Sequence, residues 1–187
     1  MQRRVLVVYA HPDHDRSRAN ARLRAAVAGL PGVTLHDVYA AYPDFFVDAR
    51  REQAMLLAHE VLVFQHPMHW YGAPAILKQW QDSVLESGWA WGEGGDRLHG
   101  KHFMQAISAG APADSYQRSG KAHFTVAELL RPFEQMAHYC GMLCLPPFVV
   151  YGSGTGSDGE LDAQVQRYRA LLERIAAGEL PAAYDTF

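Results

Sequence analysis

Short apolar runs alternate with longer segments whose apolar residues recur every three or four positions along nearly the whole chain. The first run, VLVVYA at residues 5–10, is continuous and rich in valine, the pattern of a strand covered on both faces. Residues 20–30 place Leu23, Val27 and Leu30 at helical spacing and run into Pro31-Gly32, a pair that stops a helix. A second strand is predicted over residues 33–38, followed by the turn-rich AAYPDFF and by a helix that starts at Asp48 and passes through Met55 and Leu57. VLVFQ at residues 61–65 predicts a third buried strand, cut off by His66-Pro67, and Pro74 suits the first turn of a helix over residues 73–86. Residues 102–108 and 143–150 predict the fourth and fifth strands, the latter containing Pro146-Pro147, with a helix over residues 125–139 between them. In the last helix Leu161, Val165, Tyr168, Leu171, Leu172 and Ile175 form one apolar stripe opposite arginines and acids.

Five strands alternating with five helices predict an α/β fold: a doubly wound parallel sheet in flavodoxin-like order 2-1-3-4-5, with helices on both faces. The 187 residues contain no linker of biased composition, so a single domain over residues 1–187 is expected. Hydrophobic residues at 49% and charged residues at 20% exclude a disordered chain. Seventeen Lys and Arg against 20 acids, net −3 with no dense basic run, argue against a nucleic-acid surface. No signal-peptide pattern precedes the first strand, and the longest mostly apolar stretch, residues 139–151, carries two prolines and is shorter than the ~20 residues of a membrane helix. A cytoplasmic location is expected. Cys140 and Cys144 fit neither a zinc nor a redox spacing and are read as buried thiols.

In a doubly wound sheet, ligands bind beyond the carboxyl ends of the strands, which directs attention to the segments after the first, third and fourth. After the first comes HPDHDRSRAN, where Ser17 or Asn20 stands near a helix start. A helix N-terminus attracts phosphate, and His11 and Arg18 would add donors; Ser17 acting simply as a cap is the equal alternative. Neither the dinucleotide glycine fingerprint nor the nucleoside triphosphatase loop is present. After the third strand, HPMHWYGAP crowds histidines, Met68, Trp70 and Tyr71 together, offering either π-faces for a flat ligand or anchors for packing. His66, His69, His99 and His102 lack the clustered acids or thiols of a metal centre, so no metal site is expected. After the fourth strand, ISAGAPADSY has Gly110 among small residues, where a ligand can approach the backbone. Beyond it Tyr116 and His123 could donate protons or hydrogen bonds to a developing charge. Residues 87–100, with five glycines and two tryptophans, predict a long functional loop, whose Trp89 to Trp91 stretch suits an interface or pocket wall and equally a loop packed on its own domain.

Together YAHPDHDRSRAN, YPDF at residues 42–45, QHPMHWYGAPAILKQWQDSV, GWAWGEGGDRLHGKHF and YCGMLCLPPF resemble the flavin-dependent NAD(P)H:quinone oxidoreductases of the flavodoxin-like superfamily. The likeness is greatest to KefF and KefG, the ancillary proteins of glutathione-gated bacterial potassium efflux systems, and runs from Arg4 to about Ala170. It implies a flavin, FMN in preference to FAD, with NAD(P)H as co-substrate. His11, Ser17, Arg18, Ala19 and Asn20 would surround the flavin phosphate, and Met68, His69, Trp70 and Tyr71 would edge the isoalloxazine. Ser108, Ala109, Gly110 and Ala111 would hold the ring through backbone donors, in place of the family's usual Thr-Thr-Gly-Gly. Tyr116 and His123 would be the catalytic pair, contacting substrate and steadying the reduced cofactor. The resemblance implies ping-pong kinetics, in which NAD(P)H gives a hydride and leaves, and a quinone takes its place to receive two electrons. It also implies a homodimer and, as partner, a potassium/proton antiporter that would hold the protein at the inner face of the membrane. A mainly regulatory flavin-binding subunit of that antiporter is the alternative it leaves. An electron-carrier flavodoxin fits less well, because the net charge is only −3 and the first loop is not hydroxyl-rich.

Overall fold

The computed structural model describes residues 1–183. Strand β1 (Val5–Tyr9) pairs in parallel with β2 (Val33–Asp37) on one side and with β3 (Val61–Pro67) on the other. β4 (His102–Ser108) lies beside β3, and the far edge is formed by β5 (Leu143–Cys144) and β6 (Phe148–Val150). The order is the expected 2-1-3-4-5. The fifth strand differs from the expected continuous run over 143–150, because Pro146 and Pro147 have no amide hydrogen to give a ladder. Its two halves pair with β4 separately, at His102–Phe103 and at Ala106–Ser108.

The helices are α1 (Ala19–Val27), the single turn α2 (Val38–Ala41), α3 (Ala49–Leu57), α4 (Ala75–Val84), α5 (Val126–Tyr139) and α6 (Asp158–Ala177). α2 was not predicted; it forms because the Asp37 carboxylate accepts the Ala40 amide and caps it. α5 and α6 begin in capping boxes, Thr125 with Glu128 and Ser157 with Glu160, which the sequence spells out as T-x-x-E and S-x-x-E.

Strand side chains alternate between the sheet's two faces. Val5, Val7, Val61, Val63 and Met104 pack under α1 and α6, against Leu23, Val27, Tyr168 and Leu172. Leu6, Val8, Leu62, Phe64 and Phe103 face the other way, against Leu56 of α3, Trp80 of α4 and Leu130 and Phe133 of α5. That second face also contains a fully buried carboxylate. Glu52 of α3 accepts hydrogen bonds from His36 Nε2 at 2.9 Å, the Tyr42 hydroxyl at 2.5 Å and Trp80 Nε1 at 2.7 Å. Burial alone would push the Glu52 pKa up, but the three donors together outweigh it and hold the carboxyl below its usual range. The turn-rich YPDF segment is thereby tied to β2, α3 and α4 through Tyr42. No helix among the described residues is long and apolar enough to cross a membrane.

Candidate functional site

The segments leaving β1, β3 and β4 meet along the carboxyl edge of the sheet, and each is pinned by backbone bonds to its neighbour. The Met68 amide donates to the Ser108 carbonyl at 2.8 Å, and the Ala10 amide to the Gln65 carbonyl at 2.9 Å.

The β1 segment passes through a short 3-10 turn, His14–Arg16, before α1 begins. Ser17 Oγ accepts the Ala21 amide at 3.2 Å, so Ser17 caps one of the helix's free donors. Arg18 at the cap position covers none, and the first turn contains no acid. The amides of Ala19 and Asn20 are therefore left as a weakly positive pole. The Asn20 side chain is fully buried and donates through Nδ2 to Ser108 Oγ at 2.7 Å. What Asn20 offers at the helix end is its backbone amide. Arg18 reaches across to the Ser153 carbonyl at 3.5 Å and to Asp158 at 3.1 Å, which leaves its charge beside the same pole.

Next to this pole lies a small histidine group. The rings of His11 and His69 stand edge to face, 6.2 Å between centroids, so the first loop and the loop after β3 touch. The Asp13 amide donates to His11 Nδ1 at 3.1 Å, which fixes the neutral ring's proton on Nε2, where it can serve as a donor. Partial burial, with the nearby His69 and His14, holds the His11 pKa below its ordinary value. His14 Nδ1 in turn sits 2.7 Å from the Tyr9 hydroxyl. Among the described residues no group of His, Cys, Asp and Glu is arranged to hold a metal ion.

The loop after β3 is a two-residue hairpin. His69 and Gly72 exchange both backbone bonds, at 3.1 and 3.0 Å, with Trp70 and Tyr71 at the tip. Both tip residues have positive φ, 49° and 64°, in a turn that ordinarily selects Asn and Gly. Trp70 is 95% exposed and Tyr71 half so. Among the described residues, the four non-glycine residues with positive φ are Phe45, Trp70, Tyr71 and His123, all ring-bearing and all in the segments that follow β2, β3 and β4. Backbone strain of this kind costs about 1–2 kcal/mol per residue and concentrates where geometry is held for a ligand.

The loop after β4 is anchored on its far side. The Ala109 carbonyl accepts from the Ser153 amide at 3.0 Å and from Ser153 Oγ at 3.1 Å, and the Ala111 carbonyl accepts from the Gly152 amide at 2.8 Å. The Gly110 and Ala111 amides meet no acceptor among the described residues, and a side chain at Gly110 would point into open space. Tyr116 follows the 3-10 turn Ala113–Ser115 and packs on Tyr151, 5.8 Å between ring centroids. His123 is exposed, and no hydrogen bond links it to Tyr116.

A fourth segment, YGSGTGS at residues 151–157, belongs to this edge and was not singled out by sequence. Together with Arg18 it walls a cleft of about 300 Å³ that extends to Gln164 of α6. Its signal was legible, since three glycines alternate with Ser and Thr directly after a strand. By contrast, the 87–100 loop folds onto its own domain: Ala90 and Leu98 are buried, and Trp91 Nε1 donates to the Leu85 carbonyl at 2.8 Å.

Comparison with known proteins places this edge in context. Residues 3–172 match the family Flavodoxin_2, described as a flavodoxin-like fold. The chain is 44% identical over 165 residues to the glutathione-regulated potassium-efflux system ancillary protein KefG of Shigella flexneri, covering 88% of this chain and 90% of that one. Among solved structures it is similar to general stress protein 14 of Treponema denticola in complex with FMN, at 36% identity and TM-score 0.86 over 92% of this chain and 99% of that one. It is also similar to an NADPH-quinone reductase from P. pentosaceus, at 29% identity and TM-score 0.81 over 92% of this chain and 97% of that one. From the fold, the strand order and these similarities, the chain belongs to the Flavodoxin_2 family.

Proposed function

We propose that the protein is an FMN-dependent NAD(P)H:quinone oxidoreductase. The observation that carries the reading is the pairing, on one sheet edge, of an uncovered helix pole with an exposed aromatic hairpin and an open loop of free amides. FMN has a dianionic phosphate at one end and a flat ring with carbonyl oxygens at the other, and the two halves of the edge match those two ends. The similarity to an FMN complex supports the same cofactor here.

In this reading the amides of Ala19 and Asn20, the Ser17 hydroxyl and Arg18 hold the phosphate, with His11 Nε2 as a further donor. Met68, His69, Trp70 and Tyr71 line one edge of the ring, and the backbone of Ser108 to Ala111 lines the other. Bound flavin would supply two-electron hydride chemistry between NAD(P)H and a quinone, the hydride and one solvent proton together making the hydroquinone. The chain's own part is to exclude water with Trp70 and Tyr71, to aim the Gly110 and Ala111 amides at developing negative charge, and to give a hydrogen bond from Tyr116 or His123 to an acceptor oxygen. One well-aimed donor of that kind is worth ~3 kcal/mol.

The test is spectroscopic. Protein loaded with FMN and freed of excess is titrated anaerobically with NADPH and then with a quinone. Loss of the flavin band and its return on adding quinone is the expected result; absence of bound flavin overturns the reading. The similarity to KefG favours a second reading, a regulatory subunit of a potassium efflux antiporter. Flavin that binds but resists NADPH supports that role instead, and a homodimer is compatible with either.

A further inference from the structure

Resting on the flavin reading above, we propose that Gln65 and Tyr168 are positioning residues that hold the phosphate end of the site in register with its ring end. VLVFQ is apolar until Gln65, and Gln65 is nonetheless fully buried beneath α1. Its Nε2 donates to the Asn20 carbonyl at 3.3 Å, and its Oε1 accepts from the Tyr168 hydroxyl of α6 at 3.1 Å. Tyr168 is itself completely buried, with Phe148 as its ring neighbour at 5.1 Å. The chain of bonds continues from Asn20 Nδ2 to Ser108 Oγ, and the Ser108 carbonyl accepts the Met68 amide.

One buried polar chain therefore runs from α6 through β3 and the first turn of α1 to the ends of β4 and β3. A buried amide and a buried phenol are costly unless bonded, and an apolar pair of the same size would fill the space more cheaply. What hydrogen bonds add is direction. Apolar packing permits α1 to slide along the sheet, whereas bonds at Gln65 and Asn20 fix its N-terminus relative to Ser108. A ligand gripped at both ends needs that spacing, and a ligand gripped at one end does not. Neither Gln65 nor Tyr168 is required to touch the ligand.

The experiment compares FMN with riboflavin, which has the ring and lacks the phosphate. Dissociation constants for both are measured by flavin fluorescence quenching on the wild type, Gln65→Met and Tyr168→Phe, alongside thermal unfolding of each apoprotein. The expected result is FMN weakened about 10-fold in Gln65→Met and about 3-fold in Tyr168→Phe, with riboflavin within about 2-fold of wild type, as loss of one or two hydrogen bonds of registry predicts. Equal weakening of both flavins, or no change in either, overturns the proposal and makes the pair ordinary core. Should Gln65→Met fail to fold, Tyr168→Phe, which deletes one oxygen, still decides it. Wild-type protein that binds neither flavin overturns the flavin reading itself, a result distinct from a wild type that binds and an FMN-to-riboflavin ratio that does not move.

Discussion

The imidazole of His66 lies against the ring of Phe133, centroids 5.7 Å apart and planes inclined by 35°, and so joins the end of β3 to α5 beneath the aromatic hairpin. His66 is fully enclosed; its Nδ1 faces the Pro67 carbonyl at 3.0 Å, and the Gln105 side chain is its other polar neighbour. Burial drives its pKa down to about 4, only partly offset by the Pro67 carbonyl and the Gln105 side chain.

A pH dependence follows. Above pH 6.5, the ordinary histidine value, the ring is neutral in both folded and unfolded chains and the fold has its full stability from this group. Between 6.5 and about 4 the unfolded chain takes up a proton that the folded one refuses, so stability falls as pH falls. The loss amounts to about 3 kcal/mol. Urea unfolding at pH 7 and pH 4 is expected to show it, and His66→Phe should shrink the difference between the two unfolding free energies by that amount. An unchanged difference would mean that His66 is protonated as easily in the fold as outside it.

Trp70 and Tyr71 hold left-handed backbone that Asn and Gly adopt with less strain. The double substitution Trp70→Asn, Tyr71→Gly is expected to raise apoprotein stability by roughly 1–2 kcal/mol, the strain relieved at both residues less the chain entropy that glycine adds and the residual strain of asparagine, while lowering quinone turnover. Chemical denaturation and steady-state kinetics on the same preparation check both halves. A variant that loses stability would show that the aromatic tip packs more than it strains.

Ser17→Ala removes the acceptor of the Ala21 amide and a donor beside the helix pole. It is expected to cost ~1 kcal/mol of stability, typical of a lost cap, and to reduce the FMN retained through gel filtration. Full retention would assign Ser17 to capping alone.

Tyr116→Phe keeps the ring against Tyr151 and deletes the hydroxyl. Turnover is expected to slow at least several-fold with flavin content unchanged, as removal of a single donor to developing charge predicts. Wild-type kinetics would leave Tyr116 as a packing residue.

Glu52→Ala strands three buried donors, from His36, Tyr42 and Trp80, that the carboxylate satisfies. The expected cost is about 3–5 kcal/mol by urea unfolding. A small loss would indicate that the three donors find other partners.

The strand order was legible because strands buried on both faces read as continuous runs, VLVVY and VLVFQ, that no surface helix imitates. The three loops along the carboxyl edge stand out in the sequence for the opposite reason: Trp70, Tyr71 and the histidines are too large and polar for simple connections. Burial of Asn20 was not legible. A helix start predicts its backbone amide, but Ser108, the partner of its side chain, lies 88 residues away. The Glu52 cluster escaped for the same reason, since His36 and Trp80 come from a strand and a helix whose approach only the assembled sheet defines. The break in the fifth strand could have been read from Pro146-Pro147, because two consecutive residues without amide hydrogens cannot sustain a ladder.

That break has a bearing on how the molecule keeps apart from others. A sheet edge with a long unbroken row of free amides and carbonyls invites a foreign strand to add to it, which is the first step of uncontrolled aggregation. At this margin the row is split into stretches of two and three residues by a rigid pair of imino acids. Along this margin an incoming strand finds no register it can extend beyond three residues, so the two prolines blunt this edge against strand addition.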